Sequence, residues 1–359
     1  GPARPPPHEN REPVSTPTSP PPSLMSTGDG TPRAASQLGA AILDQVERAV
    51  VGKREPLTLV LACILAGGHV LLEDFPGLGK TLAARSFAQA LGLDFTRAQF
   101  TPDLLPGDLT GSFVFDQKAG EFVFRRGPLF TGLLLADEIN RTPPKTQSAL
   151  LEAMQEGQVT VEGQTFVLAR PFHVLATANP VEYEGTYPLP EAQLDRFLAR
   201  ISFGYPSASE ELDVLHRRIA RRQEENVLDQ VTDATGLRGM QAAVETVTVD
   251  PGIGRYCVEL ARSTREHGHV LMGASPRGSL GLMLVARGYA VLHGRDYLTP
   301  EDVKAVAVPV LAHRITIKPE LWMSAASGRS VVEDVLRSVP TPAAREFIRA
   351  APPPSGQPQ

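Results

Sequence analysis

Cysteine is almost absent from this 359-residue chain. Cys63 and Cys257 are the only two, and they lie far apart. They form no disulfide framework and no C-x-x-C metal pair, which suits a reducing, cytoplasmic compartment. A surplus of positive charge is also missing. The formal net charge is −5 and the pI is about 6.0. Composition therefore supplies no long-range attraction to nucleic acid or to an anionic membrane. Long apolar runs are lacking too. The most membrane-like stretch, "PLTLVLACILAGGHVLLED", is broken by Gly67-Gly68-His69, and spanning needs roughly 20 apolar residues. It reads as a buried helix followed by a buried strand, with no membrane insertion. No signal peptide is recognisable, and Gly1-Pro2 reads as a protease scar.

What is present is ordinary soluble composition, 42% hydrophobic and 21% charged, with a length that suggests two domains. Residues 1–37 are rich in proline, serine and threonine and are expected to be disordered, since they bury too little apolar surface to offset their ordering entropy. A second Pro-rich tail is expected over 338–359. From 38 to 205 short apolar runs alternate with helical stretches. "HVLLE", "LDFTRAQF", "GLLLAD", "FHVLAT" and "ARISFG" read as five strands of a mainly parallel sheet flanked by helices, an α/β domain. From 206 to 337 helical periodicity dominates, and Thr299-Pro300 reads as an N-cap followed by the first helical residue. Residues 112–127 and 157–169 alternate at period two around Gly-containing turns, so two β-hairpins are inserted in the α/β domain. Such insertions are often functional.

The segment "EDFPGLGKT" (73–81) ends like a phosphate-binding loop but has Asp74 where the G-x-x-x-x-G-K-[ST] pattern opens with glycine. Its context is an apolar strand before and a helical stretch after, the arrangement that aims backbone N–H groups and a helix N-terminus at phosphates. Gly77 and Gly79 let the backbone approach, Lys80 reaches the β and γ phosphates, and the Thr81 hydroxyl serves Mg²⁺. Asp74 is a tolerable departure, because the leading glycine mainly eases the turn off the strand. The bland alternative is a helix that starts after a Gly-rich turn. "GLLLADEIN" ends a strand with Asp137-Glu138: one carboxylate for the metal shell, one for the attacking water. Asn179, after "FHVLATA", suits a water or a γ-phosphate oxygen, although "ANP" alone is only a turn. Arg196 in "LDRF" lies just before the last strand, where an intrahelical pair is the bland alternative. Arg277 opens a helix in the second module. A cation is out of place at a helix N-terminus, which weakly favours an anionic ligand.

Together these elements resemble the AAA+ ATPases and, more narrowly, the MoxR family. "LAGGHVLLEDFPGLGKT", "QFTPDLLPGDLTG", "GPLFTGLLLADEINRTPPKTQSALLEAMQEGQVTVEG", "LATANP", "PLPEAQLDRF" and "GASPRGSL" carry the resemblance, over about residues 38–330. Asp74 belongs to it, since Glu-Asp before this loop is common in the family. Ala178 stands where Gln is frequent. The resemblance implies an AAA+ module with an all-α lid. Pro76, Gly77, Leu78, Gly79, Lys80, Thr81 and Leu82 would be Walker A and hold ATP, and Asp137 and Glu138 would be Walker B. Mg²⁺ would lie at Thr81 and, through water, Asp137. Asn179 would be sensor 1, Arg196 an arginine finger given to the neighbouring subunit, and Arg277 sensor 2. The two hairpins would be the helix-2 insert and the pre-sensor hairpin. The resemblance further implies a ring, most simply a hexamer, that remodels or matures protein clients with a von Willebrand factor A domain partner.

A metal-chelatase motor subunit is the neighbouring reading. A nucleic-acid motor is disfavoured by the acidic charge and by the lack of a basic stripe with interleaved aromatics. A nucleotide-binding scaffold without turnover is disfavoured by Glu138, Asn179 and Arg196. Among the remaining features, "HRRIARRQEE" reads as a solvated helix face with Arg221–Glu225 support, and Trp322 as core of the helical module. His173, His216, His267 and His269 show no metal-ligand spacing.

Overall fold

The computed structural model describes residues 30–343, except 76, 181–184 and 224–225. In chain order the elements are α1 (Pro32–Ala49), α2 (Arg54–Leu65), β1 (Val70–Glu73), α3 (Lys80–Leu91), β2 (Phe95–Gln99), α4 (Pro106–Thr110), β3 (Gly111–Asp116), β4 (Glu121–Arg126) and β5 (Leu133–Asp137). They continue with α5 (Pro144–Glu156), β6 (Gln158–Val161), β7 (Gln164–Val167), β8 (His173–Ala178), α6 (Glu191–Leu194) and β9 (Ala199–Ile201). The rest is helical, α7 (Ala208–Arg221), α8 (Ala234–Glu245), α9 (Pro251–Glu266), α10 (Pro276–Leu292), α11 (Pro300–Leu311) and α12 (Gly328–Ser338), apart from a short antiparallel ribbon of β10 (Val270–Met272) and β11 (Thr316–Ile317).

β1, β2, β5, β8 and β9 form one sheet in the order β2-β5-β8-β1-β9, and every pairing in it is parallel. Both faces are covered, so the strands read as apolar runs rather than alternating ones. Val70, Leu72, Leu133, Leu135 and Leu175 face one core, and Leu71, Leu134, Ala136, Val174 and Ala176 the other. The first core runs on without a break into the helical part of the chain: α1 and α2 pack against α8 and α10. The second core is closed by Leu150, Leu151 and Met154 of α5, together with Leu109 and Phe197.

Two hairpins project from the α/β part. β3 pairs with β4, Phe113 opposite Phe124 and Phe115 opposite Phe122. β6 pairs with β7 around Glu162-Gly163, both at positive φ. They lean on each other: the Phe124 and Phe166 rings stack at 4.0 Å between centroids, and Phe130 meets Phe124 edge-on. At the tip of the first hairpin, Phe115 and Phe122 remain exposed.

Several expectations need correction or fall outside the description. Residues 1–29 and 344–359 of the two expected tails lie outside the described residues, and the second tail does not begin at 338, because α12 includes Ser338 and its C-cap Val339 is buried. The N-terminal tail does not extend to residue 37: the Thr31 hydroxyl accepts from the Ala34 amide and Pro32 opens α1 with its fixed φ, so helix begins at 32. Trp322 is not core. It is 68% exposed after a one-turn 3-10 helix, with its indole N–H donating to Ile317 O at 3.1 Å. The helical part is closed instead by Val331, Val332 and Val335 of α12. The Arg221–Glu225 pair lies outside the described residues. α7 ends at Arg221, whose guanidinium donates to Asn226 Oδ1 at 2.7 Å.

Candidate functional site

The loop between β1 and α3 is built as the strand–loop–helix context suggested. Gly77 and Gly79 have φ of 82° and 85°, a region that costs ordinary residues strain, and nothing stands within 4 Å of a Cβ placed on either. Gly79 is the N-cap of α3, so the first-turn amides of that helix point into the loop. Pro76 lies outside the described residues. Asp74, at the unusual opening position, has its own structural task. It is 5% exposed, and its carboxylate accepts from Ser202 Oγ at 2.5 Å, Phe203 N at 2.5 Å and Gly204 N at 3.3 Å. It thus fastens the loop to the chain leaving β9. Lys80 Nζ donates to the Asp74 carbonyl at 2.6 Å. Partial burial pulls the Lys80 ammonium below its usual value, against the opposing pull of Asp74, Asp137 and Glu138.

Across from the loop, β5 ends in the two carboxylates. Asp137 is buried; it accepts from Thr177 Oγ1 at 2.6 Å on one oxygen and pairs with Arg97 at 2.6 Å on the other. Glu138 is held at φ 58°, an uncommon left-handed position for a non-glycine residue, of the kind that concentrates at functional sites. The Thr177 hydroxyl supports it, accepting from the Glu138 amide at 2.8 Å. The Glu138 carboxylate accepts from Gln99 Nε2 at 2.9 Å and Arg141 Nη1 at 3.2 Å. Asn179 follows β8, half-buried, its carbonyl accepting from Asn140 Nδ2 at 3.2 Å.

These parts enclose one cavity of about 330 Å³, lined by Gly77, Gly79, Lys80, Thr81, Leu82, Asp137, Glu138, Thr177 and Asn179. Among the described residues of that lining Lys80 is the only cation. The donor set suits a triphosphate with Mg²⁺: open glycine backbone, an ammonium, a threonine hydroxyl and a carboxylate. No cluster of three or more potential metal ligands occurs among the described residues.

The other two expected site residues do not line this cavity. Arg196 and Arg277 meet in a second one of about 310 Å³, together with Asp195, Arg314 and the Gly67–His69 turn. Arg277 is the second residue of α10 and stands 3.7 Å from the Asp195 carboxylate. Its odd place at a helix start therefore already has an anion inside the chain. Arg196 is half-buried, and its guanidinium has no hydrogen bond or ion pair among the described residues.

Sequence reasoning missed Thr177, Arg97, Gln99 and Arg314. For three of these the missing signal is strand order. Gln99 lies opposite Asp137 in the β2–β5 pairing, and Ala176 opposite Ala136 in β5–β8, which brings Thr177 beside Asp137.

A parallel five-stranded sheet with a glycine loop before a helix and paired carboxylates two strands away defines a P-loop nucleotide-binding fold. The comparisons narrow it. Residues 69–199 match the family model "ATPase family associated with various cellular activities (AAA)", and residues 262–335 match "AAA lid domain". YeaC of Bacillus subtilis is 50% identical over 87% of this chain and 97% of its own length. Chaperone MoxR1 of Mycobacterium tuberculosis is 42% identical over 83% and 81%. The crystal structure of a protein from Cytophaga hutchinsonii superposes with a TM-score of 0.80 at 41% identity, covering 86% of this chain and 96% of that one. The chain belongs to the MoxR family of AAA+ ATPases. No described helix is long and apolar enough to cross a membrane.

Proposed function

We propose that the protein hydrolyses Mg·ATP at sites between subunits of a ring, most simply a hexamer, and uses the cycle to remodel or mature protein complexes. Gly77 and Gly79 admit the phosphates, α3 presents its N-terminal amides, and Lys80 turns from the Asp74 carbonyl to the β and γ oxygens. Mg²⁺ would be held by the Thr81 hydroxyl and, through water, by Asp137, and would neutralise charge between the β and γ phosphates. Arg97 is then the residue that must release Asp137. Glu138 orients and deprotonates the attacking water, and Asn179 holds that water or a γ oxygen. The observation that carries the intersubunit reading is the division of the cations. Among the described residues the phosphate cavity is lined by no cation but Lys80, while Arg196, without a side-chain partner among them, and the nearby Arg277 line another cavity. An arginine displaced from its own subunit's phosphates, as Arg196 is, is available to the neighbour's, while Arg277, facing Asp195, is read as sensor 2 in the lid.

The remodelling output is supported by the name of the relative Chaperone MoxR1 and by the exposed Phe115 and Phe122 at the hairpin tip, apolar surface available to a client. A von Willebrand factor A domain protein is the partner we expect. Two free, buried cysteines are compatible with cytoplasmic work. The division into an α/β unit and a helical lid near residue 205 is part of the same proposal.

The test is complementation. Lys80→Ala abolishes ATP binding, read as loss of the Mg·ATP thermal shift, and Glu138→Gln keeps ATP bound without turnover. Arg196→Ala binds ATP but hydrolyses it slowly, since an added arginine is worth about 10³–10⁵ in rate in other nucleotide hydrolases. Mixed rings of Arg196→Ala and Lys80→Ala regain activity, because some interfaces pair an intact Arg196 with an intact Lys80. Co-assembled rings as inactive as their components would defeat the intersubunit assignment.

A further inference from the structure

The loop that carries Arg196 is held from the lid by one buried arginine. Arg314 follows α11 and is 6% exposed. Its Nη1 donates to the Asp195 carbonyl at 2.9 Å and to the Asp195 carboxylate. Its Nη2 donates to the carbonyls of Phe197 at 2.9 Å and Leu198 at 3.4 Å, and its Nε to Val310 O at 2.8 Å. The preceding residue adds a further contact, His313 Nε2 donating to Phe197 O at 3.0 Å. The backbone on both sides of Arg196 is therefore fixed, while the Arg196 guanidinium is left without a partner among the described residues. Gly278 and Gly281 let α10 lie close to α11: a Cβ on the first would stand 3.1 Å from Leu311 Cδ2 and one on the second 3.1 Å from Val310 Cγ1, with Arg314 at contact distance beside both.

A buried guanidinium is expensive to desolvate, and a packing role alone would be met by an apolar side chain. What an arginine adds is a planar fork that reads several acceptors at fixed angles. The acceptors it reads are those flanking Arg196. Asp195 is the hub. Besides Arg314 it accepts from Ser275 Oγ at 3.3 Å and faces Arg277 at 3.7 Å. The Asp195 carboxylate thus joins Arg314 to Arg277, and the backbone carbonyls of Asp195, Phe197 and Leu198 tie the loop of Arg196 to the same guanidinium.

We propose that Arg314 is the positioning residue of the intersubunit site: its clamp on Asp195, Phe197 and Leu198 sets the direction in which Arg196 leaves the subunit. This rests on reading Arg196 as serving the neighbouring subunit's ATP. Arg314 touches no phosphate itself. Because it belongs to the lid, any lid displacement during the nucleotide cycle is transmitted to the finger aimed at the next subunit.

Arg314→Lys tests this, since lysine keeps the charge and the buried stem but loses the fork. The Mg·ATP thermal shift should match wild type, because the variant's own phosphate loop is intact. The turnover number should fall roughly 100-fold with KM little changed, the scale expected when a reacting geometry slips by about 1 Å. Mixed with Lys80→Ala, the variant should regain activity as Arg196→Ala does; mixed with Arg196→Ala it should not, since no interface then has a competent finger. A residue that only stabilises its own subunit would produce no such pattern. Wild-type turnover by Arg314→Lys overturns the proposal, as does rescue by Arg196→Ala. It is equally overturned if Lys80→Ala rescues Arg196→Ala but not Arg314→Lys. If Lys80→Ala rescues neither, the intersubunit reading falls and the clamp with it. Should Arg314→Lys not fold, Asp195→Asn, which keeps an acceptor oxygen but loses the charge, is put through the same mixtures with the same outcomes decisive.

Discussion

Replacing Asp74 by glycine would restore the usual opening of a phosphate loop, and the structure predicts that it damages the protein. The Asp74 carboxylate takes two hydrogen bonds of 2.5 Å, from Ser202 Oγ and the Phe203 amide, and a longer one from the Gly204 amide. Hydrogen bonds to a charged group contribute about 1.5–3 kcal/mol each, and a buried donor left unsatisfied costs a similar amount. Relief of the carboxylate's own desolvation offsets part of that, and the added freedom of glycine costs a further ~0.5–1 kcal/mol. The expected loss is about 3–5 kcal/mol, a large share of the ~5–15 kcal/mol that ordinary proteins have. ATP binding should survive, because Lys80 is held by the Asp74 carbonyl, which glycine retains. Urea denaturation followed by circular dichroism would show the lower stability, and Mg·ATP should still raise the melting temperature of the variant. Asp74→Asn, which keeps one acceptor, should fall between. A glycine variant as stable as wild type would refute the fastening role. So would one that keeps its stability and loses ATP.

Two further predictions concern groups buried at and near the site. Thr177→Val leaves the Glu138 amide without an acceptor and takes the donor from Asp137 Oδ1, while Arg97 still holds Oδ2, so both stability and turnover should fall, stability by about 2–3 kcal/mol. Thr177→Ser, which keeps the hydroxyl, should retain both, and equal damage in the two variants would assign the effect to packing instead. His69 and His313 are buried, and desolvation pushes each down to about 3. In the unfolded chain they titrate near 6.5, so between these values the unfolded state binds more protons, stability rises with pH, and it is lost as pH falls. Well below 6.5 each contributes about 1.4 kcal/mol per pH unit. Stability measured from about pH 7 down to 5 should decline, and a flat profile would contradict the buried neutral state.

Much of the fold was legible because its signals are local. Apolar runs of strand length, Gly77 and Gly79 between a strand and a helix, and Thr299-Pro300 at a helix start each act over a few residues. The hairpins announced themselves by period-two alternation around Gly-containing turns, the second of which falls at Glu162-Gly163. Trp322 was misjudged because hydrophobicity says nothing about which surface remains when neighbouring elements have already closed the core. The tail boundary was misjudged because Thr31-Pro32 is a helix start embedded in a Pro-rich composition.

By itself, the sequence determined the chemical inventory: a lysine and a threonine after a glycine loop, two carboxylates at a strand end, an asparagine at another, and two arginines without an evident local role. Only the tertiary structure decided who stands beside whom. The order β2-β5-β8-β1-β9 sets Arg97, Gln99 and Thr177 around Asp137 and Glu138, although they come from three separate segments. Packing of α10 and α11 against the β9 side gathers Arg196, Arg277 and Arg314 around Asp195, away from Lys80. The physical reason is one of range. Propensity, capping and turn chemistry act along a few residues of chain, whereas strand neighbours and buried ion pairs depend on which apolar faces close on each other across long sequence separations.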